Sequence, residues 1–208
     1  MFDLKNEVKA AFIENKTAII ASASILFISI ILGYVFEPYL YSILNPVVED
    51  MTNKVQSGVI KLTFEDVFIN NIIIVLEMFI FGIFCCGSAL VLAFNGFFTG
   101  YYVAIADNLL EVLVFIVPHG IFEFSSCILA CASGFVLFDF VIRLVKTFWK
   151  MNGMKFFDRF VQAYDKNFDK LLQAFILLAV ASILMVIAGI VEVYVTLPLG
   201  KFLLSFLS

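Results

Sequence analysis

The side chains best suited to chemistry lie together in one short segment, VPHGIFE, at residues 117–123. This segment holds the single histidine of the chain, His119, and a glutamate four positions later, Glu123. Residues four apart lie on the same face of an α-helix, so we expect the imidazole and the carboxylate to be neighbours. Such a pair can form a hydrogen bond, hold a proton or supply two ligands to a metal ion.

The apolar sequence around this pair limits what it can do. An ionisable group at the centre of a membrane helix costs roughly 2.5 to 3.5 kcal/mol, so such groups usually face other helices and pair there. The expected topology brings further polar residues to the same depth. The predicted polar cluster comprises Asn71, Pro118, His119, Gly120, Glu123 and Glu192.

Three interpretations of this cluster are open from the sequence. In the first, His119 is hydrogen-bonded to the glutamates and the asparagine of the cluster and ties three helices together. In the second, His119, Glu123 and Glu192 bind a divalent metal ion with one open position, in the manner of a catalytic zinc site. The two closely spaced histidines of a zincin motif are absent from the sequence. In the third, these groups form a proton or ion path together with Asp107 and Glu111.

Composition identifies the broader class of protein. Of the 208 residues, 63% are hydrophobic and 14% are charged, whereas a soluble domain carries about 25% charged residues. This indicates an integral membrane protein, and we treat residues 1–208 as one membrane domain. A net charge of −4 argues against nucleic acid as a partner, because phosphate binding requires clustered lysines and arginines. Membrane lipid is the expected partner.

Apolar runs of about 20 residues, long enough to cross a bilayer, set the predicted fold. The fold class is all-α: a polytopic transmembrane helical bundle of about five spans with amphipathic interfacial helices. The predicted spans are residues 17–36, 71–94, 97–117, 119–145 and 171–196. Asn95 and Gly96 are predicted to form the turn between the second and third spans. Pro118 is predicted in the first turn of the fourth, where its missing N–H is harmless.

The distribution of basic residues predicts the orientation, because loops rich in lysine and arginine stay cytoplasmic. The segment between the fourth and fifth predicted spans carries Arg143, Lys146, Lys150, Lys155, Arg159, Lys166 and Lys170. With five spans, the N-terminus is then cytoplasmic and the C-terminus lies outside. The third span is the least regular, since Asp107, Asn108 and Glu111 interrupt it, and a broken or re-entrant segment is the alternative.

Two further patterns predict contacts. In MNGMKFFDRFVQAYDKNFDK, at residues 151–170, apolar and basic side chains fall on different faces of a helix. This favours a helix lying in the inner headgroup layer, with a docking surface for a soluble protein as the alternative. Gly96 and Gly100 form a GxxxG pair, which permits close helix packing without by itself establishing a dimer.

Four motifs, in a fixed order, resemble one protein family. They are FINNI at residues 68–72, NGFFTG at 95–100, PHGIFE at 118–123 and AGIVEVYVTLP at 188–198. Together they resemble the stage II sporulation protein M family, for which PHGxxE is the specific signature. The resemblance implies a helical membrane protein with about five spans. It also implies a scaffold role, since the family's named member works with peptidoglycan hydrolases during engulfment.

The expected function is a membrane scaffold that organises envelope or membrane-remodelling partners as a homodimer, without a cofactor. One alternative is a metal-dependent intramembrane hydrolase or lipid-modifying enzyme that uses His119, Glu123 and Glu192 around one divalent ion. A transporter or channel is the other. The sequence contains no P-loop, GxSxG or Gly-rich dinucleotide motif, so none of the enzyme classes that carry them is indicated.

Overall fold

A computed structural model describes residues 3–58, 63–84, 86–151, 153, 155–196, 198–200 and 202–203. These residues form helices joined by short turns, with no β-strand among them, which confirms the all-α class. The helices are α1 Leu4–Glu14, α2 Lys16–Val35, α3 Glu37–Gln56, α4 Phe64–Phe81, α5 Gly87–Ala104, α6 Leu109–Lys150 and α7 Phe156–Val191, followed by a π-helical turn at Glu192–Thr196.

Three helical stretches in the described part of the chain are long and apolar enough to cross a membrane. They are Lys16–Val35 with 20 residues, Val112–Lys150 with 39 and Phe156–Gly200 with 45. These stretches support a membrane protein, but the prediction of about five spans is not confirmed. The helices that the prediction counts toward spans, and that are not among these three stretches, are α4 and α5, with 18 residues each.

The predicted turn between the second and third spans is wrong. Asn95 and Gly96 lie inside α5, and the chain turns earlier, between α4 and α5. Gly82 lets this turn approach α6, because a Cβ at Gly82 would meet the backbone of Gly134. Packing also overrides the local turn signal of Asn-Gly, since Asn95 Nδ2 donates a hydrogen bond to Cys127 Sγ at 3.5 Å.

The predicted third span is not one helix. α5 ends at Ala104, and α6 begins at Leu109 and continues for 42 residues through the predicted fourth span. Asp107 and Asn108 lie in the break, where the Asn108 side chain accepts a hydrogen bond from the second backbone N–H of α6. Pro118 therefore lies in the interior of α6 and not in its first turn. An interior proline removes one backbone hydrogen bond, and helices in membranes tolerate this loss.

α4 and α5 form an antiparallel hairpin beside α6. The Ser88 hydroxyl, near the start of α5, donates a hydrogen bond to the carbonyl of Met78, near the end of α4. Gly134 of α6 packs against both of these residues. The two open ends of the hairpin therefore lie at the same end of the bundle, and its turn lies alongside the middle of α6.

Glycines bring α2 and α5 into close contact along parallel axes. A Cβ at Gly96 would lie 2.8 Å from Ser29 Cβ, and a Cβ at Gly100 would meet the backbone carbonyl of Ile30. Gly33 of α2 likewise faces the backbone of Phe97. The GxxxG pair is therefore used inside the chain, for packing one helix on another.

α6 and α7 form a long antiparallel pair. Near the middle, Ser126 Oγ donates a hydrogen bond to the carbonyl of Ala181 at 2.7 Å. Further along, Asn167 Nδ2 donates one to Thr147 Oγ1 at 3.1 Å. Small buried side chains on α6, such as Ala130, allow the two helices to approach closely.

Polar side chains fasten α1 to α7. Asn15 Nδ2 donates a hydrogen bond to Gln173 Oε1 at 2.9 Å, and both side chains are buried. Glu14 accepts hydrogen bonds from Gln173 Nε2 at 2.9 Å and from Lys170 Nζ at 3.0 Å. These two hydrogen bonds, with that of Gln173 the larger effect, lower the pKa of the Glu14 carboxyl.

Candidate functional site

The His119–Glu123 pair lies on α6, as its spacing predicted. His119 Nε2 is 3.7 Å from Glu123 Oε2, and the two side chains are 14% and 21% exposed. This distance is longer than a hydrogen bond. His119 Nδ1 is buried and has no hydrogen-bond partner in the described part of the chain. The imidazole therefore keeps the capacity to bind a further polar group.

Gly120 lies buried in α6, directly after this histidine. A Cβ at Gly120 would lie 3.4 Å from Ile116 Cγ2 and 3.5 Å from the ring of Phe124, which are ordinary contacts. Among the described residues, no neighbouring helix backbone approaches this position as closely as at Gly100. Gly120 is therefore not required for tight helix packing in this structure.

Glu192 begins the π-helical turn that follows α7. Such turns often mark functional sites, because they re-aim the side chains beside the extra residue. Here the carboxylate of Glu192 comes near enough to Glu123 for the two negative charges to repel each other. At the other end of the turn, Thr196 is buried and its Oγ1 lacks a hydrogen-bond partner among the described residues. No pattern in the sequence predicts this turn.

The predicted cluster is only partly assembled. Within the described residues, no hydrogen bond joins Asn71 to His119. These residues also contain no group of three or more His, Cys, Asp or Glu placed to hold a metal ion. The metal site of His119, Glu123 and Glu192 stays a prediction. The side chain of Glu111, named for the ion path, lies outside the described part.

Glu123 instead lines a cavity of about 380 Å³ between α3, α4, α5 and α6. A second carboxylate, Glu77 of α4, lines the same cavity. Two carboxamides, of Asn70 and Asn95, and a majority of apolar side chains complete the lining. Asn95, predicted to form a turn, thus contributes to the lining of a site.

The spacing on α4 could have revealed this cavity. Asn70, Ile74 and Glu77 recur at helical intervals, so they share one face of α4. Asn70, and not Asn71, lies on this face and reaches the cavity. Glu77 was not among the predicted site residues, because the predicted spans do not place α3 and α5 beside it.

The far end of the α6–α7 pair forms a second surface, which we call the hairpin tip. It consists of the exposed side chains of Trp149, Phe156, Phe157 and Phe160. The predicted amphipathic helix at residues 151–170 lies largely within α7, which begins at Phe156 and packs along α6. For example, the rings of Phe140 and Tyr164 meet edge to face with centroids 6.2 Å apart. This segment is therefore part of a helical hairpin and not a separate surface helix.

The fold and the site define the class of the protein: a helical membrane protein with polar side chains lining a cavity between its helices. The family model of stage II sporulation protein M matches residues 22–197, so the chain belongs to this family and the resemblance is confirmed. The chain is also 30% identical to an uncharacterized protein of Methanocaldococcus jannaschii over 215 residues, covering 99% of this chain and 92% of that protein. No solved structure matches the chain.

Proposed function

We propose that the protein is a membrane scaffold that docks a partner protein of the cell envelope on the hairpin tip. The observation that carries this proposal is the exposure of three large aromatic side chains at the tip. Trp149 is 70% exposed, and Phe156 and Phe157 are each 72% exposed. Aromatic side chains are enriched at protein interfaces, where their burial supplies much of the binding energy.

The length of α6 supports a tip outside the bilayer. Its 42 residues span about 63 Å, whereas a bilayer with its headgroups is about 40 to 45 Å thick. Charged residues mark where α6 leaves the apolar region, since Arg143 Nε pairs with Asp139 at 2.8 Å. From Asp139 to Lys150 the helix rises a further distance of about 17 Å, more than the roughly 5 to 8 Å of one headgroup layer.

The tip is held in a defined shape. Arg159 Nη2 donates a hydrogen bond to the carbonyl of Phe148 at 2.8 Å, and its guanidinium lies 4.4 Å from the centroid of that ring. The rings of Phe148 and Phe156 are 5.1 Å apart. An aromatic surface that is ordered before binding loses little conformational entropy on docking, which favours affinity.

The charge around the tip defines the partner's chemistry. Lys150 and Lys155 flank the aromatic side chains, with Lys146 one turn earlier on α6. A partner segment that presents an apolar face bordered by Asp and Glu would complement this surface. Because basic segments stay in the cytoplasm, the tip and the N-terminus are cytoplasmic in this proposal. Three crossings by α2, α6 and α7 then place the C-terminus outside.

A homodimer also belongs to the proposed function. Gly96 and Gly100 are covered by α2 and are not available as its contact surface. The exposed apolar side of α2, which includes Ile20 and Ile31, is open to a second copy.

Site-specific photo-crosslinking in native membranes tests the docking proposal. A photoreactive phenylalanine analogue at Phe157 is expected to give a protein adduct whose contacting segment is acidic. The charge reversal Lys155→Glu should lower the yield about fivefold, the effect of roughly 1 kcal/mol at a charged rim. The matched control is Ile31, which is 61% exposed on the apolar side of α2.

The adducts separate the alternatives. The control position is expected to yield lipid adducts or a second copy of the chain. Lipid adducts alone at Phe157 would contradict the docking proposal, because they would place the tip in the headgroup layer. A protein adduct at Phe157 that Lys155→Glu leaves unchanged would contradict the acidic partner.

A further inference from the structure

The cavity between α3, α4, α5 and α6 is lined by polar and aromatic side chains. The polar ones include the carboxylates of Glu77 and Glu123 and the carboxamides of Asn70 and Asn95. The aromatic ones are the rings of Phe94 and Phe98. A volume of about 380 Å³ lies within the usual range of small-molecule sites, roughly 300 to 1,000 Å³. The space suits a small organic group with one polar end.

The negative charge of this cavity is not balanced by lysine or arginine. In the described part of the chain, neither Glu77 nor Glu123 has a lysine or arginine within 4.0 Å. Among the described residues, the basic side chain in contact with Glu123 is His119, at 3.7 Å, while Glu192 adds a second negative charge nearby. Lys54 of α3, the helix that covers the cavity, pairs with Asp50 at 2.6 Å. Glu77 is exposed, whereas the Glu123 side chain is 21% exposed. A carboxylate as buried as that of Glu123 is costly without a cationic partner, so a cation in the cavity would be stabilised.

We propose that this cavity binds an organic ammonium group, a primary amine or a quaternary ammonium, that carries an apolar chain. The ammonium lies between the carboxylates of Glu77 and Glu123, with the rings of Phe94 and Phe98 supplying cation–π contacts. The carboxamide oxygens of Asn70 and Asn95 accept hydrogen bonds from a primary amine. An organic cation fits better than a bare metal ion, because it fills the volume and uses the aromatic rings.

The opening of the cavity suits the attached chain. Met51 of α3 and Phe94 of α5 line the cavity and are 40% and 58% exposed, so apolar surface continues outward from it. A hydrocarbon chain on the ammonium would cover this surface. Both an amine-headed lipid and a free amphiphilic amine present this chemistry.

Binding of dodecyltrimethylammonium to the full-length protein in nanodiscs tests the proposal. We expect saturable binding that weakens at least about tenfold, or about 1.4 kcal/mol, in Glu77→Gln and in Glu123→Gln. The control Glu65→Gln removes the same charge from α4 away from the cavity and should bind like wild type. Phe98→Leu, which keeps apolar volume and removes a ring, should weaken the quaternary ammonium several-fold and spare folding.

Three results would overturn the proposal. One is equal affinity in wild type and in both cavity glutamine variants that retain the wild-type melting temperature. Another is equal affinity for a neutral amphiphile with the same dodecyl chain, which would reduce the cavity to an apolar groove. The third is binding of Mn²⁺ or Ca²⁺ that depends on both glutamates and excludes the ammonium.

Native mass spectrometry separates the two sources of ligand. An amine-headed lipid that is retained by wild type and lost in Glu77→Gln identifies a lipid as the ligand. Glutamate-dependent binding of the dodecyl ammonium without any retained lipid identifies a free amine. Both results support the proposed site. The crosslinking test at the hairpin tip is independent of this outcome, so either proposal can fail alone.

Discussion

The substitution Gly100→Ala tests the close packing of α2 on α5. The added methyl group would meet the backbone carbonyl of Ile30 and lie 2.8 Å from the backbone nitrogen of Tyr34. Backbone atoms cannot rotate away, so the helices must separate. Overpacking of this kind costs about 1 to 3 kcal/mol, and alanine recovers at most about 1 kcal/mol of helix propensity. Because the clash is with backbone, we expect a net loss of roughly 1 to 2 kcal/mol.

Thermal unfolding of the purified protein in detergent measures this loss. For a chain of this size, about 2 to 4 °C accompanies each kcal/mol, so the melting temperature should fall by roughly 2 to 8 °C. Gly120→Ala is the matched control, since its Cβ would make only ordinary contacts at 3.4 Å or more. It should melt at or above the wild-type temperature. Gly100→Ala as stable as Gly120→Ala would refute the packing of α2 on α5 described above.

Three further predictions concern single residues. The pKa of Glu14 is lowered in the folded state. Its stabilisation, roughly 0.2 to 1 kcal/mol because the Glu14 side chain is 52% exposed, is therefore present at neutral pH and lost as pH falls through the lowered pKa. The melting-temperature difference between wild type and Glu14→Gln should therefore shrink as the pH falls. Cys86 is exposed at the turn of the α4–α5 hairpin. In a chain that lacks the other cysteines, it should react with a lipophilic maleimide and not with a charged maleimide added to either side of the membrane. Ser126→Ala should lower stability by about 0.6 kcal/mol by removing the bond to Ala181, whereas Ser125→Ala, whose bond lies within α6, should not.

The sequence predicted the features that depend on local spacing. Composition identified a helical membrane protein, and the interval between His119 and Glu123 placed them 3.7 Å apart on one helix. The sequence-based prediction failed where packing between distant residues decides the position of a turn. The turn at Gly82 forms because Gly134, far along the chain, leaves room for it. No local pattern contains that information, so the stronger turn signal at residues 95–96 was misleading.

The cavity was missed for a related reason. Glu77 and Glu123 are separated by a turn, a helix and a break, so their proximity depends on the α4–α5 hairpin folding back beside α6. The five-span topology did not place Glu77 near any other polar residue of the cavity. Once the hairpin is placed, Asn70 and Asn95 come to the same cavity. A single error in a helix boundary thus concealed that these polar residues share one cavity.

The cavity and the hairpin tip share one helix, which raises the question of whether binding at one affects the other. From Glu123 to Trp149, α6 rises about 39 Å as a continuous helix. It is tied to α7 along this length by the hydrogen bonds of Ser126 and Asn167. Coupling between distant sites requires an element with two arrangements, and these hydrogen bonds oppose a shift of α6 along α7. We therefore expect the affinity of the tip for its partner to be equal with and without the ammonium. A tenfold change would show that α6 and α7 shift against each other when the cavity is filled.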